Sequence, residues 1–384
     1  MTDIAELTRN AVEVLPDGEL NKKLARGEPL RVKLGIDPTA PDIHLGHTVV
    51  LGALAAFQDA GHTAVLIIGD YTARIGDPSG RSKERPVLSD EELDANAKSY
   101  ADQAFKILDP ARTEVRHNSE WLAQLDFAEV LRITRTTTVA RLLERDDFAK
   151  RMAAQAPISV TELLYPLMQG YDSVATEADI ELGGTDQLYN LLAGREVMVE
   201  YGLEPQVAMT LPILVGTDGV DRMSKSRGNY VGLAEAPTEQ FGKVMSIPDA
   251  AVDDYWRLCL TCDPAAGSAM ESKLALARAI VERYNGAEVA TDAEAHFTRV
   301  VRRGEAPTEM PTAVVSAGTV HVPDLLREHF GESGSHWRRL IGQGAVRVDG
   351  EPLTELDVAS DLLDGVTLQA GKRRFLSVTA ETAC

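Results

Sequence analysis

The chain has 384 residues, which at about 100–200 residues per domain implies two or three domains. Apolar residues make up 44% and aromatics only 5%, so aliphatic side chains must fill most of the core. A formal charge of −20 weighs against non-specific binding to membranes or nucleic acid and leaves room only for a local basic surface. Cys259, Cys262 and Cys384 make no disulfide framework. Cys259-x-x-Cys262 lacks a second Cys or His pair at zinc-finger spacing and reads as two ordinary buried thiols. The opening MTDIAELTRN carries acids and no apolar core, so no signal peptide is expected. No apolar run is long enough to span a bilayer, and the expected compartment is the cytoplasm.

LRVKLGI, from Leu30, reads as a strand. HTVVLGALAAFQDAGH has apolar residues at helical spacing and stops at Gly61. TAVLIIGD, from Thr63, is a continuous apolar run and reads as a buried strand, so the three segments imply a parallel pair joined through a helix. Ser89 and Glu92 form a capping box for a helix to about Leu108, and Ser159 and Glu162 repeat it before TELLYPLMQGYD, where Pro166 should kink the helix. ADIELGG is another strand, turning through Gly183-Gly184-Thr185-Asp186-Gln187 into a helix. TLPILVGTDGVDRMSKSRGN reads as a strand, a Gly-rich turn and a basic loop. Beyond about Leu233 helical patterns dominate, RRGEAPTEMPTAV reads as a linker, and a small domain begins near Val320.

The short stretches carry the chemistry. In DPTAPDIHLGH, His44 and His47 stand three apart at the start of a helix. Zinc would want two His four apart with a Glu between them, and no acid is placed to help here. A phosphate clamp suits the position, because backbone N–H groups and the helix dipole attract anions there and Gly46 permits close approach. A plain capping pair is the other reading. Arg222-Met223-Ser224-Lys225-Ser226 puts two cations on a loop after a Gly-rich turn, and Gly80 to Arg85 is a second basic loop. Each suits a polyanion, and each alone could be solvated surface. Tyr165, Gln169 and Asp172, spaced four and three, share one helix face.

HLGH and RMSKS, in this order, resemble the two signature motifs of class I aminoacyl-tRNA synthetases. GIDPTAPDIHLGH, IGDPSGRSKERP, YPLMQGYDS and ELGGTDQ extend the likeness to the bacterial tyrosyl-tRNA synthetases, in particular the group with VKLG before DPTAPD. The resemblance implies an α/β fold: a Rossmann-like parallel-sheet catalytic domain over residues 1–232 with a helical insertion at about 90–160, an α-helical anticodon-recognition domain over 233–315, and a small α+β S4-like domain over 320–384. It implies tyrosine–tRNA ligase activity in two steps, through tyrosyl-adenylate and pyrophosphate, with ATP as substrate, Mg²⁺ carried on its phosphates and no tightly bound protein metal. Thr39, His44, His47, Arg81, Arg85, Arg222 and Lys225 match the catalytic set. Gly46, Gly183, Gly184, Asp186, Met223 and Lys225 match the ATP site. Asp77, Tyr165 and Gln169 match holders of the tyrosine ammonium, Asp172 matches the acceptor for the phenol, and Asp37 and Gln187 complete the lining. Arg stands where the usual last motif begins with Lys, which keeps the charge and changes the geometry.

Many members place a Tyr in the strand before DPTAP as a second phenol partner. Here that position is Lys33, followed by Leu34, as in the VKLG group. The last domain resembles the S4 RNA-binding module through Trp337, Arg338, Arg339, Gln343, Arg347 and the Asp349-Gly350 turn, with Lys372, Arg373 and Arg374 later. The implied partners are tRNA(Tyr), tyrosine, ATP and a second copy of the chain, with the segment around VARLLERDDF near the dimer interface and no membrane. Two alternatives stay open: a paralogue that activates a modified tyrosine, and a non-catalytic RNA-binding protein on the same scaffold.

Overall fold

The computed structural model describes residues 4–39, 41–79, 89–264, 267–307, 310–371 and 374–381. The chain divides into two units, Met1–Tyr284 and Asn285–Cys384. In the first, six described strands form one sheet: β1 (Glu13–Leu15), β2 (Arg31–Ile36), β3 (Thr63–Ile68), β4 (Thr113–His117), β5 (Ile180–Gly184) and β6 (Val207–Leu211). Their order is β1-β6-β5-β2-β3-β4. Only β1 runs antiparallel to its neighbour. Apolar runs explain the centre: Ala64 to Ile68 of β3 and all of β6 are buried, as strands covered on both faces require.

Helix α1 (Leu45–Asp59) joins β2 to β3, which pair in parallel with Leu34 opposite Leu66. Leu45, Val49, Leu51, Leu54 and Phe57 are its buried apolar residues. Helix α2 (Asp90–Ala104) begins at the predicted Ser89–Glu92 capping box. Between β4 and β5 lie short helical segments and then α3 (Val160–Ala175), which starts at the Ser159–Glu162 box. Glu162 also makes a bidentate pair with buried Arg151 at 2.7 and 2.8 Å. Pro166 sits buried inside α3, which runs unbroken through it.

Helix α4 (Leu188–Glu200) returns from β5 to β6 and packs closely on α3. A Cβ on Gly170 would lie 3.0 Å from the Gly194 Cα, so this crossing needs glycine. Helices α5 (Pro237–Met245), α6 (Val252–Cys259) and α7 (Ala269–Asn285) complete the first unit, in line with the helical pattern after Leu233.

The second unit opens with α8 (Ala287–Phe297). It then forms β7 (Thr312–Val315), β8 (Thr319–His321), α9 (Val322–Phe330), α10 (Gly334–Gly342), β9 (Val346–Val348), β10 (Glu351–Pro352), β11 (Asp357–Ala359), β12 (Thr367–Ala370) and β13 (Arg374–Ala380). One sheet has the order β10-β9-β12-β13-β7, and β8 pairs with β11. Trp337, Val322, Leu326, Leu368, Leu376 and Val378 fill the core between helices and sheet.

Three expectations change. The stretch read as a linker ends in a strand, because β7 pairs in parallel with β13 and buries Ala313 and Val315. Cys259 is buried, but Cys262 is exposed. Strands β1 and β4 were not expected: the first is three residues at the sheet edge, and the second, TEVRH, has no apolar run.

Candidate active site

The strand order reverses between β5 and β2. From β2 the chain proceeds to β3 and β4 on one side, and from β5 to β6 on the other. Such a reversal leaves a crevice beyond the carboxyl ends of the two strands, where open α/β sheets bind ligands. Two adjoining cavities occupy it, of about 260 and 640 Å³. Both are lined by Thr39, His47, Val50, Asp77, Gly184 and Asp186, so one space leads into the other.

Asp37, Asp77, Tyr165, Gln169, Asp172 and Gln187 all line the smaller cavity, together with Gly183. Asp37 follows β2 and accepts from Thr72 Oγ1 at 2.8 Å and from the Tyr165 hydroxyl at 2.9 Å. A Cβ on Gly69 would lie 2.1 Å from the Asp37 carboxylate, so that residue must be glycine for Asp37 to sit there. Asp77 accepts from Ser79 N at 2.9 Å and from Gln187 Nε2 at 2.8 Å, while Gln187 Oε1 accepts from Asn190 at 2.8 Å. Gln169 donates Nε2 to Glu181 at 3.0 Å, which leaves Oε1 as its acceptor. The cavity thus gathers oxygen acceptors whose orientations are already fixed, as a bound ammonium requires.

Asp172 is buried and accepts from Trp121 Nε1 at 2.8 Å and from Asn118 Nδ2 at 3.2 Å. Burial pushes its carboxyl up to about 7, while Lys33 and these two donors oppose the rise. Leu34 lines this cavity; Lys33 is absent from its lining and forms a buried ion pair with Glu181 at 2.9 Å. Lys33 therefore gives this cavity no direct contact.

His44, Gly46, Arg222, Met223 and Lys225 line the larger cavity. The N-cap of α1 is His44, whose Nδ1 accepts from Gly46 N at 3.2 Å; His47 Nδ1 accepts from His44 N at 3.2 Å. The capping and clamping readings are therefore compatible. With Nδ1 accepting, a neutral ring carries its proton on Nε2, and that atom is left to donate toward the cavity. Burial lowers the His47 pKa to about 4, aided by the Lys225 charge, and drives His44 far lower still. Both are neutral donors near pH 7.

Lys225 donates to the Asp42 carbonyl, and burial lowers its pKa to about 8. Arg222 pairs with Asp186 at 2.8 Å, a contact that sequence did not suggest. Burial raises the Asp186 carboxyl, with nearby Asp77 adding to it. Arg81 and Arg85 lie outside the described residues.

Several supporting residues were missed from sequence. Arg145 donates to Asn190 at 2.6 Å and to Ser79 Oγ at 3.1 Å and pairs with Asp147 at 2.9 Å, holding the frame around Gln187 and Asp77. Trp121 and Asn118, in NSEWL after β4, hold Asp172 across 51 and 54 residues. No local pattern marks such partners.

In the second unit, Arg338, Arg339 and Arg347 are exposed. Arg374 pairs with Glu332 at 3.3 Å. Trp337 is a correction to the RNA set: it is fully buried, and its indole N–H donates to the Gly331 carbonyl at 2.9 Å, so it holds the core and offers no face for stacking. Lys372 and Arg373 lie outside the described residues.

The family model for class I tRNA synthetases (W and Y) matches residues 25–302. The tyrosine–tRNA ligase of Moorella thermoacetica is 50% identical over 387 residues, covering 96% of this chain and 94% of its own. That of Chlorobaculum tepidum is 47% identical over 387 residues, with 97% and 95% covered. Among solved structures, a C-terminally truncated mitochondrial tyrosyl-tRNA synthetase of Aspergillus nidulans superposes with a TM-score of 0.62 at 23% identity, covering 76% of this chain and 91% of that one. This last likeness bears on the fold.

The lowered Lys225 gives a prediction with a definite sign. A polyphosphate in the larger cavity would stabilise the ammonium form and raise its pKa, so proton uptake near pH 8 on addition of ATP is the expected outcome. Titration calorimetry in buffers of different ionisation heat should show an uptake of up to about half a proton that Lys225→Ala removes.

Proposed function

The chain belongs to the class I tRNA synthetases of the tryptophan and tyrosine group and is a tyrosine–tRNA ligase of the bacterial kind, and on that premise we propose how its residues divide the work. Tyrosine occupies the smaller cavity and ATP the larger. The observation that supports this assignment is the lining the two cavities share at Thr39, His47, Gly184 and Asp186, a junction where an amino-acid carboxylate in one would meet the α-phosphorus of a nucleotide in the other. The carboxylate oxygen attacks that phosphorus, the bond to the β-phosphate oxygen breaks, and pyrophosphate leaves. The terminal adenosine of tRNA(Tyr) then takes the tyrosyl group and AMP departs.

No side chain need form a covalent intermediate in the first step. The barrier lies in charge gathering on the departing pyrophosphate, so fixed donors and cations are the effective catalysts. Thr39, His44 and His47 supply donors, and Lys225 and Arg222 supply cations. Arg81 and Arg85 complete the cationic set in our reading. Gly46 and Met223 form the wall against the nucleotide, with Gly183, Gly184 and Asp186 on its adenosine side. Arg222 must leave Asp186 when that carboxylate takes the ribose, which couples ATP entry to movement of the basic loop. Mg²⁺ enters on the ATP phosphates as part of the substrate.

Asp37, Asp77, Tyr165 and Gln169 receive the tyrosine ammonium, Gln187 holds Asp77, and Asp172 accepts the phenol hydroxyl. Amino-acid-dependent ATP–pyrophosphate exchange tests this directly. Tyrosine alone among the twenty amino acids should support exchange. Asp172→Asn should lower the kcat/KM ratio of tyrosine over phenylalanine by roughly tenfold or more, the size of one lost buried hydrogen bond. Exchange driven by another amino acid would remove the assignment, and an unchanged ratio would move phenol recognition to another group.

We assign tRNA contact to the helical segment from residue 233 and to the S4-like part of the second unit, where Arg338, Arg339 and Arg347 are exposed. Strand β7 belongs to the latter sheet, so a fair truncation ends before it. A chain ending at Ala306 should keep exchange and lose tRNA charging. Charging at the full-length rate would refute the RNA role of the removed part.

We also infer a homodimer in the cytoplasm. Phe127, Leu131, Val139, Met152 and Val160 expose large apolar side chains between β4 and the start of α3, the region expected to face a second copy. Sedimentation as a monomer at micromolar concentration would count against it. Among the described residues no helix is long and apolar enough to cross a membrane.

A further inference from the structure

We propose that the buried pair Lys33–Glu181 is the positioning element of the tyrosine pocket, fixing the direction of the Gln169 amide and supplying the cation that keeps Asp172 an acceptor for the phenol. The inference rests on the tyrosine reading above. Lys33 and Glu181 are directly opposite on β2 and β5, in the middle of the parallel sheet. Their side chains are 0% and 1% exposed, and they meet at 2.9 Å. Such positions in a parallel sheet are normally Val, Ile or Leu. A buried ion pair is often no more stabilising than apolar packing, so stability alone is a weak reason for charges here.

The pair's contacts converge on one turn of α3. Lys33 Nζ donates to the Gln169 backbone carbonyl at 2.9 Å and to Ser173 Oγ at 2.6 Å. Glu181 accepts from Gln169 Nε2 at 3.0 Å and also from Gln206, while Ser173 Oγ lies 3.4 Å from its second oxygen. That turn carries Gln169 and Asp172, both on the cavity wall. Glu181 can only accept when ionised, so it admits the amide nitrogen of Gln169 and turns the carbonyl oxygen away. With two apolar residues in place of the pair, the amide would have no such constraint.

The second consequence is electrostatic. Lys33 on β2 and Glu181 on β5 are the charged groups acting on Asp172; after β4, Asn118 and Trp121 supply neutral donors. On that same segment His117 is paired with Asp70 at 3.3 Å. Lys33 lowers the Asp172 pKa and Glu181 raises it, with the Lys33 effect the larger. Only the ionised carboxylate is purely an acceptor, so tyrosine recognition is lost as pH falls through the Asp172 pKa. Removing Lys33 must move that loss to higher pH.

The test is the pH dependence of kcat/KM for tyrosine, with the KM for ATP measured alongside, in pyrophosphate exchange by the full-length protein. Lys33→Met should fall about tenfold below wild type at about pH 6 and rejoin it by about pH 9, with the ATP value unmoved. Lys33→Met leaves Glu181 buried without its cation and is at risk of misfolding, so Lys33→Met/Glu181→Gln is measured beside it. The double variant should fold and keep an upward displacement of the acid limb, smaller than that of the single variant. An acid limb at the wild-type position in the folded double variant, or equal losses for tyrosine and ATP at every pH, would show a purely structural pair and overturn the proposal. Wild-type protein without tyrosine-dependent exchange would overturn the tyrosine reading and this inference together.

Discussion

At the start of α1, the Gly46 N–H donates to His44 Nδ1 and the His44 N–H donates to His47 Nδ1. These two bonds satisfy donors that a helix N-terminus would otherwise leave unpaired. They also determine which nitrogen of each ring carries the proton. Burial keeps both rings neutral, so each is a donor of fixed direction and no net charge. A charged imidazolium would bind the ground-state polyphosphate strongly; a neutral donor matters more as negative charge grows. The cations are placed apart, on the loop carrying Arg222 and Lys225.

The sheet reversal sets this local device beside a second cavity. Because β2 and β5 are neighbours, the residues that follow them face one crevice from both sides. Asp37 follows β2, Gly183 and Gly184 end β5, and α1 begins a few residues beyond Asp37. Helix α3 closes the smaller cavity with Tyr165, Gln169 and Asp172. Beneath that wall the Lys33–Glu181 pair ties both central strands to the same turn of α3. The smaller cavity is thus held by a polar network inside the sheet, whereas the larger is held by a helix terminus and a loop.

The central architecture was legible because its signals are local. A continuous apolar run marks β3, short strand patterns mark β2 and β5 despite the charges in them, and the two Ser-x-x-Glu boxes mark the starts of α2 and α3. The cavity residues were legible because each lies in a short motif. What escaped was long-range pairing. Nothing near Asp172 in sequence indicates Trp121 or Asn118, and nothing near Lys33 indicates Glu181. Arg222 reads as a free cation until its pairing with Asp186 is seen. Trp337 entered the RNA set through the resemblance to the S4 module, beside Arg338 and Arg339; the helix puts the two arginines outside and the indole inside. Strand β7 was hidden by the prolines just before it, Pro307 and Pro311, and its partner β13 lies about sixty residues on.

The most direct test concerns the two histidines. Nitrogen-15 NMR of the imidazoles near pH 7 reports both charge and tautomer in the unliganded protein. His44 and His47 should each appear as neutral rings with the proton on Nε2, and His47 should stay neutral until the pH approaches about 4. Rings protonated at pH 7, or neutral rings with the proton on Nδ1, would contradict the account, because the backbone would then have no acceptor at those atoms and the donors toward the cavity would not be fixed.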